Sequence, residues 1–228
     1  KNAARTLKAY ALYLEKSAVK RPLLIADLKE EYIDALLRQE QITEIKKQLF
    51  YPGYIDNQDL AALYNTAFTF LYPSLRESFG IPILEAMACG TPVITSHTSA
   101  MPEVAGEGAV LINPEQPQQI ADALIKLEND ADFYQKQVDY GLERVKLFLN
   151  EVGKQLADLQ ISKGGNIIMV QVENEYGAFG IDKPYISEIR DMVKQAGFTG
   201  VPLFQCDWNS NFENNALDDL LWTINFGT

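Results

Sequence analysis

The sequence predicts an α/β protein built on a three-layer, doubly wound, mostly parallel sheet. Two observations carry that prediction. Short apolar runs alternate with amphipathic helical stretches across short turns, the pattern of βα units whose sheet is covered on both faces. The seam from Gly141 to Lys154, GLERVKLFLNEVGK, where the vocabulary of the chain changes, is itself helical. There Leu142, Val145, Leu149, Val152 and Leu156 recur at spacings of three and four, with charges and amides between them. Two parts of different character are thus joined through a shared helix rather than a flexible linker.

With 228 residues, 47% of them apolar, the chain can bury one large core or two small ones. A formal charge of -11 argues against nucleic acid or an anionic membrane as a partner, since both would repel an acidic surface. Cys89 and Cys206 lie far apart in apolar or strand-like settings. Both read as reduced and mostly buried, implying neither a disulfide framework nor a metal cluster. There is no long apolar span and no signal-peptide pattern at Lys1, so a soluble, cytoplasmic chain is expected.

Lys1 to about Ser17 has helical spacing, and Arg21-Pro22 breaks it ahead of the buried strand LLIA. A helix over Glu30 to Gln39 precedes the strand KQLFYPG, ended by Pro52 and Gly53. Asp56 and Asp59 have the spacing of an N-cap and a reaching acid for the helix LAALYNTA, after which FTFLYPS is the next strand. Gln118 to Leu127 is an amphipathic helix, and Phe133 starts the long helix that enters the seam. Beyond Ile161, SKGG closes that helix. The strand NIIMVQVENEYG, a helix over Asp182 to Gly197, and the strands VPLFQCDW and LLWTINFG follow.

The chemistry concentrates in residues 74 to 106. Glu77 sits in a loop after a strand, Gly80 allows close backbone approach, and Pro82 is placed where a first helical turn tolerates it. Glu85 follows on the first turns of that helix. A strand end, a glycine and a helix N-terminus together suit an anionic phosphate, while the flanking carboxylates suit sugar hydroxyls. From spacing alone Glu85 reads equally as a dipole-favouring acid and Glu77 as a loop charge. His97, the only histidine, has no second ligand candidate beside it and reads as a loop residue, and Glu103 as an acid in a short helix. Farther on, Glu173, Asn174 and Glu175 stand at the polar C-terminal end of a strand, where α/β proteins place chemistry and where acids also cap loops.

The pair in ESFGIPILE, followed by AMACGTPVITS and MPEVAGEGAVLINP, resembles the nucleotide-sugar half of retaining family 4 glycosyltransferases of the GT-B fold, which is Rossmann-like. The resemblance covers residues 1–147. It implies that Glu85 holds the ribose hydroxyls of a UDP- or GDP-hexose and Glu77 contacts the donor sugar. Backbone amides at Phe79, Gly80 and Ile81 would face the sugar and distal phosphate, and Lys1 would pair with the pyrophosphate, with no further cofactor. It also implies a glycine where Asp27 stands. A strand with a glycine-rich turn and an arginine is expected ahead of Lys1, in the middle of the sheet, as is an amino-terminal domain with the acceptor site.

Residues 148–228, with GGNIIMVQVENEYGAFG, DKPYISEIRDMVKQAGF and VPLFQCDW, resemble strands four to six of the (β/α)8 barrel of family 35 β-galactosidases, exported enzymes in many cases. That resemblance implies Glu175 as general acid/base and Asn174 on the sugar 2-hydroxyl, with Glu173 in support. The nucleophile is expected on a later strand. The two parts together read as a chimera joined near residues 141–160, without a complete active site but able to keep nucleotide-sugar binding. A retaining hexosyltransferase needing a separate acceptor domain is the alternative, and a β-galactosidase the third. The barrel-type strands are expected to complete or extend the first sheet, and an incomplete sheet invites dimers by strand exchange.

Overall fold

The structure, a computed structural model, describes residues 2–55, 57–174, 183–207 and 217–224. Among these, the first part supplies helices α1 (Ala3–Lys16), α2 (Glu30–Gln39), α3 (Asn57–Thr66), α4 (Ile81–Ala88), α5 (Met101–Ala105) and α6 (Pro117–Asn129). Its strands are β1 (Leu23–Ala26), β2 (Leu49–Gly53), β3 (Phe70–Tyr72), β4 (Val93–Ser96) and β5 (Ala109–Ile112). Helix α7 (Ala131–Leu156) runs through the seam without a break and leads to β6 (Val170–Asn174), α8 (Lys183–Gln195), β7 (Leu203–Asp207) and β8 (Leu221–Ile224). Among the described residues all strand pairs are parallel, as the βα alternation predicts. No helix among the described residues is long and apolar enough to cross a membrane.

The chain divides into two compact units, one of Lys1–Asp56 with Ala67–Arg144 and one of Asn57–Thr66 with Val145–Thr228. Helix α7 therefore contributes to both, and α3 belongs with the second although its sequence neighbours belong to the first. Nothing in the periodicity of LAALYNTA says which core it will join.

In the first unit β1 pairs with β2, and β3, β4 and β5 form a second sheet in that order. One core unites them. Leu7, Tyr10 and Tyr13 of α1, Ile33 and Leu37 of α2, and Ile120, Leu124 and Leu127 of α6 are buried together with Leu49, Ile94 and Ile112 of the strands. Each large side chain so buried contributes on the order of 1.5–3 kcal/mol. Helices α1 and α6 pack side by side through Ala9, Ala121 and Ala123 as well. Gly108 and Gly141 fix a second close approach: a Cβ on Gly108 would stand 3.0 Å from the Gly141 Cα and from Met87 Cε. The chain at the residue where glycine was expected, Asp27, adopts φ 61°, a left-handed conformation that asparagine and aspartate tolerate better than other side chains.

The second unit has its own three-stranded sheet, β6-β7-β8. The expectation that these strands would hydrogen-bond into the first sheet is corrected here: among the described residues they pair only with one another. Strands joined by a single crossover close the shorter loop and so pair first. Ile186, Val193, Phe198, Leu203, Leu217 and Leu220 form the core, with Ala61 of α3 and Leu149 and Val152 of α7 packed against it. Gln160, fully buried, donates Nε2 to the carbonyls of Ala157 and Gly197 and accepts the Gly200 N–H at 2.9 Å. Removing this amide takes a hydrogen bond from each of three backbone groups, although the Gly197 carbonyl keeps the Thr199 N–H at 3.0 Å, so Gln160→Ala is expected to lower stability by about 2 kcal/mol in urea unfolding.

Neither cysteine forms a disulfide; Cys206 is buried as expected, whereas Cys89 is only half-buried. Lys1, Asp56, Glu175 and Asp182 lie outside the described residues, and the side chains of Asp59, Glu173 and Asn174 are likewise undescribed.

Candidate functional site

The C-terminal ends of β3, β4 and β5 carry the site. Strand β3 ends at Tyr72, and the chain then loops through Glu77 to Gly80, whose φ of 102° turns it into α4. A Cβ at Gly80 would come 3.2 Å from Ile83 Cδ1, so both backbone and space favour glycine there. Pro82 lies in the first turn of α4, and no acidic residue does. Glu85 is the fifth residue of α4, in its second turn and exposed. The reading of Glu85 as a first-turn dipole acid is thereby set aside.

A second helix start reaches the same edge. Asn2, buried just ahead of α1, donates Nδ2 to the carbonyls of Pro73, after β3, and Pro114, after β5. The first turn of α1 also lacks acidic residues. Two helix N-termini, each carrying the partial positive charge of the helix dipole, are therefore brought to the ends of the same strands.

The loop between them is fastened by hydroxyls from the end of β4. Thr95 donates to the Tyr72 carbonyl at 2.9 Å, Ser96 to Ser74 at 2.5 Å, Thr98 to Leu75 at 3.3 Å and Ser99 to Glu77 at 2.6 Å. Ser99 Oγ also accepts the Glu77 N–H at 3.3 Å. Thr95 and Ser96 are fully buried, a placement that costs heavily unless their hydroxyls are bonded, and here both are. The density of hydroxyl side chains in the run ITSHTS is the signal of these clasps in the sequence.

Burial, a hydrogen bond to Glu77 and the charges of Glu77 and Glu85 push the Tyr72 phenol up to about 12, against a hydrogen bond with Ser74 that pulls it down. The phenol thus stays neutral. Any stability it lends is complete below pH 10 and is lost as pH rises through its folded value. Glu77 is half-buried, while Phe79 and Ile81 are exposed on either side of Gly80. His97 is exposed, its Nδ1 2.9 Å from the Ile112 carbonyl, the loop role expected of it. Glu103 lies in α5, where its carbonyl and that of Val104 accept the Arg144 guanidinium. In the structure Glu77, Gly80 and Glu85 lie on the loop and helix that follow β3, and Asn2, Thr95, Ser96, Thr98 and Ser99 hold residues 72 to 77 of that stretch by hydrogen bonds.

The model of glycosyl transferases group 1 matches residues 1–144, well over half of the chain. The chain belongs to that family. This group 1 glycosyltransferase sequence is 32% identical over 148 residues to an O-antigen chain mannosyltransferase B of Escherichia coli, covering 65% of this chain and 39% of that protein. It is 33% identical over 150 residues to a serotype-specific mannosyltransferase of the same organism, 65% of this chain and 18% of the other. The chain thus spans well under half the length of these relatives. Among solved structures, the C-terminal domain of a glycosyl transferase group 1 protein from Francisella tularensis aligns with a TM-score of 0.57 and 27% identity, over 64% of this chain and 78% of that one. An Anabaena protein solved with UDP and glucose shares the fold, with a TM-score of 0.53 at 18% identity, over 61% of this chain and 39% of that one.

The glycosyl hydrolases family 35 model matches residues 126–228, under half of the chain. A β-galactosidase of Xanthomonas manihotis is 40% identical over 79 residues, 35% of this chain and 13% of that enzyme. The two family matches overlap over 126–144, at the end of α6 and in the first half of α7.

Proposed function

We propose that residues 1–147 of this group 1 glycosyltransferase chain bind a nucleotide-sugar, a UDP- or GDP-hexose, at the C-terminal edge of β3, β4 and β5. The observation that carries this reading is the arrival of two acid-free helix N-termini at the ends of β3 and β5, beside the loop of Glu77 and the helix of Glu85. Diphosphate oxygens suit the N–H groups of α1 and α4, with Lys1 as the added cation. Glu85, the more exposed carboxylate, takes the ribose hydroxyls, and Glu77, the more enclosed, takes the hexose. The similarity to mannosyltransferases and to a fold seen with UDP and glucose agrees with that ligand class.

The same proposal has residues 148–228 as a β-galactosidase-like segment joined by recombination through α7, and transfer as a reaction that needs a second, acceptor-bearing domain. The alternative, a retaining hexosyltransferase reconstituted with that domain, predicts sugar transfer on its addition. Hydrolysis of a galactoside at Asn174 and Glu175 is the third.

Calorimetric titration with UDP, GDP and their hexose conjugates tests the central reading. Saturable binding is expected, weakened about tenfold or more in Glu85→Ala through loss of a charge-assisted bond. No heat from any member of the panel overturns it.

A further inference from the structure

We infer that Ser99 is a positioning residue of this site, its hydroxyl holding the Glu77 backbone so that the carboxylate stands where the hexose of a nucleotide-sugar is read. The inference rests on the donor reading proposed above, in which Glu77 takes the hexose, and goes beyond it to say what sets that end of the site.

One hydroxyl meets one residue twice. Ser99 Oγ donates to the Glu77 carbonyl at 2.6 Å and accepts the Glu77 N–H at 3.3 Å. In a paired strand, the N–H and C=O of a single residue are both met by one residue of the neighbouring strand; here a single oxygen takes that neighbour's place. The backbone has only two soft dihedrals per residue. Glu77 cannot turn about either without losing one of the two bonds, so the direction in which its side chain leaves the chain is set.

The hold falls where packing locates the loop least. Ser74 and Gly80 are buried, but Leu75, Arg76, Ser78 and Phe79 between them are exposed. Thr98, beside Ser99, donates to the Leu75 carbonyl at 3.3 Å, so the turn after β4 grips this exposed stretch at two alternate residues.

The backbone of Ser99 is the second, independent observation. Its φ of 59° lies in the left-handed region, which glycine enters freely and serine only at a cost. Such a conformation persists where something offsets it. Ser99 is exposed, so burial is not the offset, and the two bonds to Glu77 are. Glycine would relax the turn, but it would leave Glu77 unheld.

Ser99→Gly and Ser99→Ala together separate positioning from stability. Both remove the hydroxyl, whereas only glycine relieves the backbone, so the alanine variant is expected to melt below the glycine variant. Each is titrated with UDP, UDP-glucose, GDP and GDP-mannose. Affinity for the free nucleotides is expected to stay within about twofold of wild type. The extra affinity that the hexose confers should fall about fivefold in both variants, the scale of one neutral hydrogen bond. In a Glu77→Ala background the Ser99 change should add almost nothing, because it acts through that carboxylate. Equal losses for nucleotide and conjugate, a hexose loss that follows the melting temperature, or full additivity with Glu77→Ala overturns the inference.

Hydrogen exchange supplies a readout without ligand. The Glu77 amide is expected to exchange more slowly than that of its exposed neighbour Ser78, and to lose this protection in Ser99→Gly. An unprotected Glu77 amide in the wild type overturns the clasp even if nucleotide-sugars bind. A wild type for which the hexose adds no affinity overturns the positioning role alone. One that binds no member of the panel overturns the donor reading and the role of Ser99 with it, whatever the amide does.

Discussion

Gly153→Ala is expected to destabilise the second unit by about 3 kcal/mol, the upper range for forcing atoms into a packed site. In an exposed helix the same change stabilises, since alanine is the better helix former by about 1 kcal/mol. The sign reverses here because a Cβ at Gly153 would stand 1.8 Å from the carbonyl oxygen of Ala196 and 2.7 Å from its carbon. That carbonyl belongs to the end of α8, where Ala196 N–H donates to Met192 and Gly197, at φ 102°, turns the chain toward β7. Neither backbone can yield without pulling α7 or α8 from the core that Val152 and Val193 share. Hydrogen exchange is the informative measurement. Amides of α8 and β6 to β8 should lose protection while those of α1 and α6 keep theirs. Amides of α3 should follow the second unit, although both sequence neighbours of α3 lie in the first. Unchanged protection in α8 would show that the close approach is absent.

Glu128→Ala is the counterpart in the first unit, with an expected loss of about 3 kcal/mol. The Glu128 side chain is only 3% exposed. It accepts the Tyr13 hydroxyl at 2.5 Å and the Ser17 hydroxyl on both oxygens, at 2.8 and 3.0 Å. Arg21 Nε, buried and without a hydrogen bond of its own, lies 4.0 Å away, and its guanidinium sits over the Phe68 ring. Truncation strips acceptors from two hydroxyls and leaves a half-buried cation facing none. Glu128→Gln keeps the shape and one acceptor oxygen, and is expected to lose roughly half as much. Urea unfolding followed by tyrosine fluorescence ranks the three proteins. A Glu128→Ala midpoint equal to that of wild type would show that the buried carboxylate does not secure α1 to α6.

What could be read from the sequence was what is local. Gly80 and Pro82 announce a turn into a helix by their own backbone chemistry, and Glu77 and Glu85 are placed by counting from them. Counting one step further would have put Glu85 in the second turn and removed its reading as a dipole acid. The clasps were out of reach by this route: Thr95 to Tyr72 and Ser96 to Ser74 join residues more than twenty apart across parallel strands, a relation without a spacing rule. Asn2 was hidden behind its neighbour Lys1, because a charge draws the eye to phosphate, whereas a buried amide between two proline carbonyls has no pattern. The long seam helix was plain from its leucine and valine periodicity. Its division at Arg144 was not, because an apolar stripe says that a face is buried and not against which core.

The four clasps on residues 72 to 77 are neutral hydroxyls meeting backbone carbonyls, and screening by dissolved ions acts on charges, not on such bonds. The loop should therefore keep its shape from low to high ionic strength. Whatever salt dependence nucleotide-sugar binding shows then belongs to the diphosphate and the charges that meet it, and the slope of affinity against salt becomes a count of those charges, uncontaminated by loosening of the site.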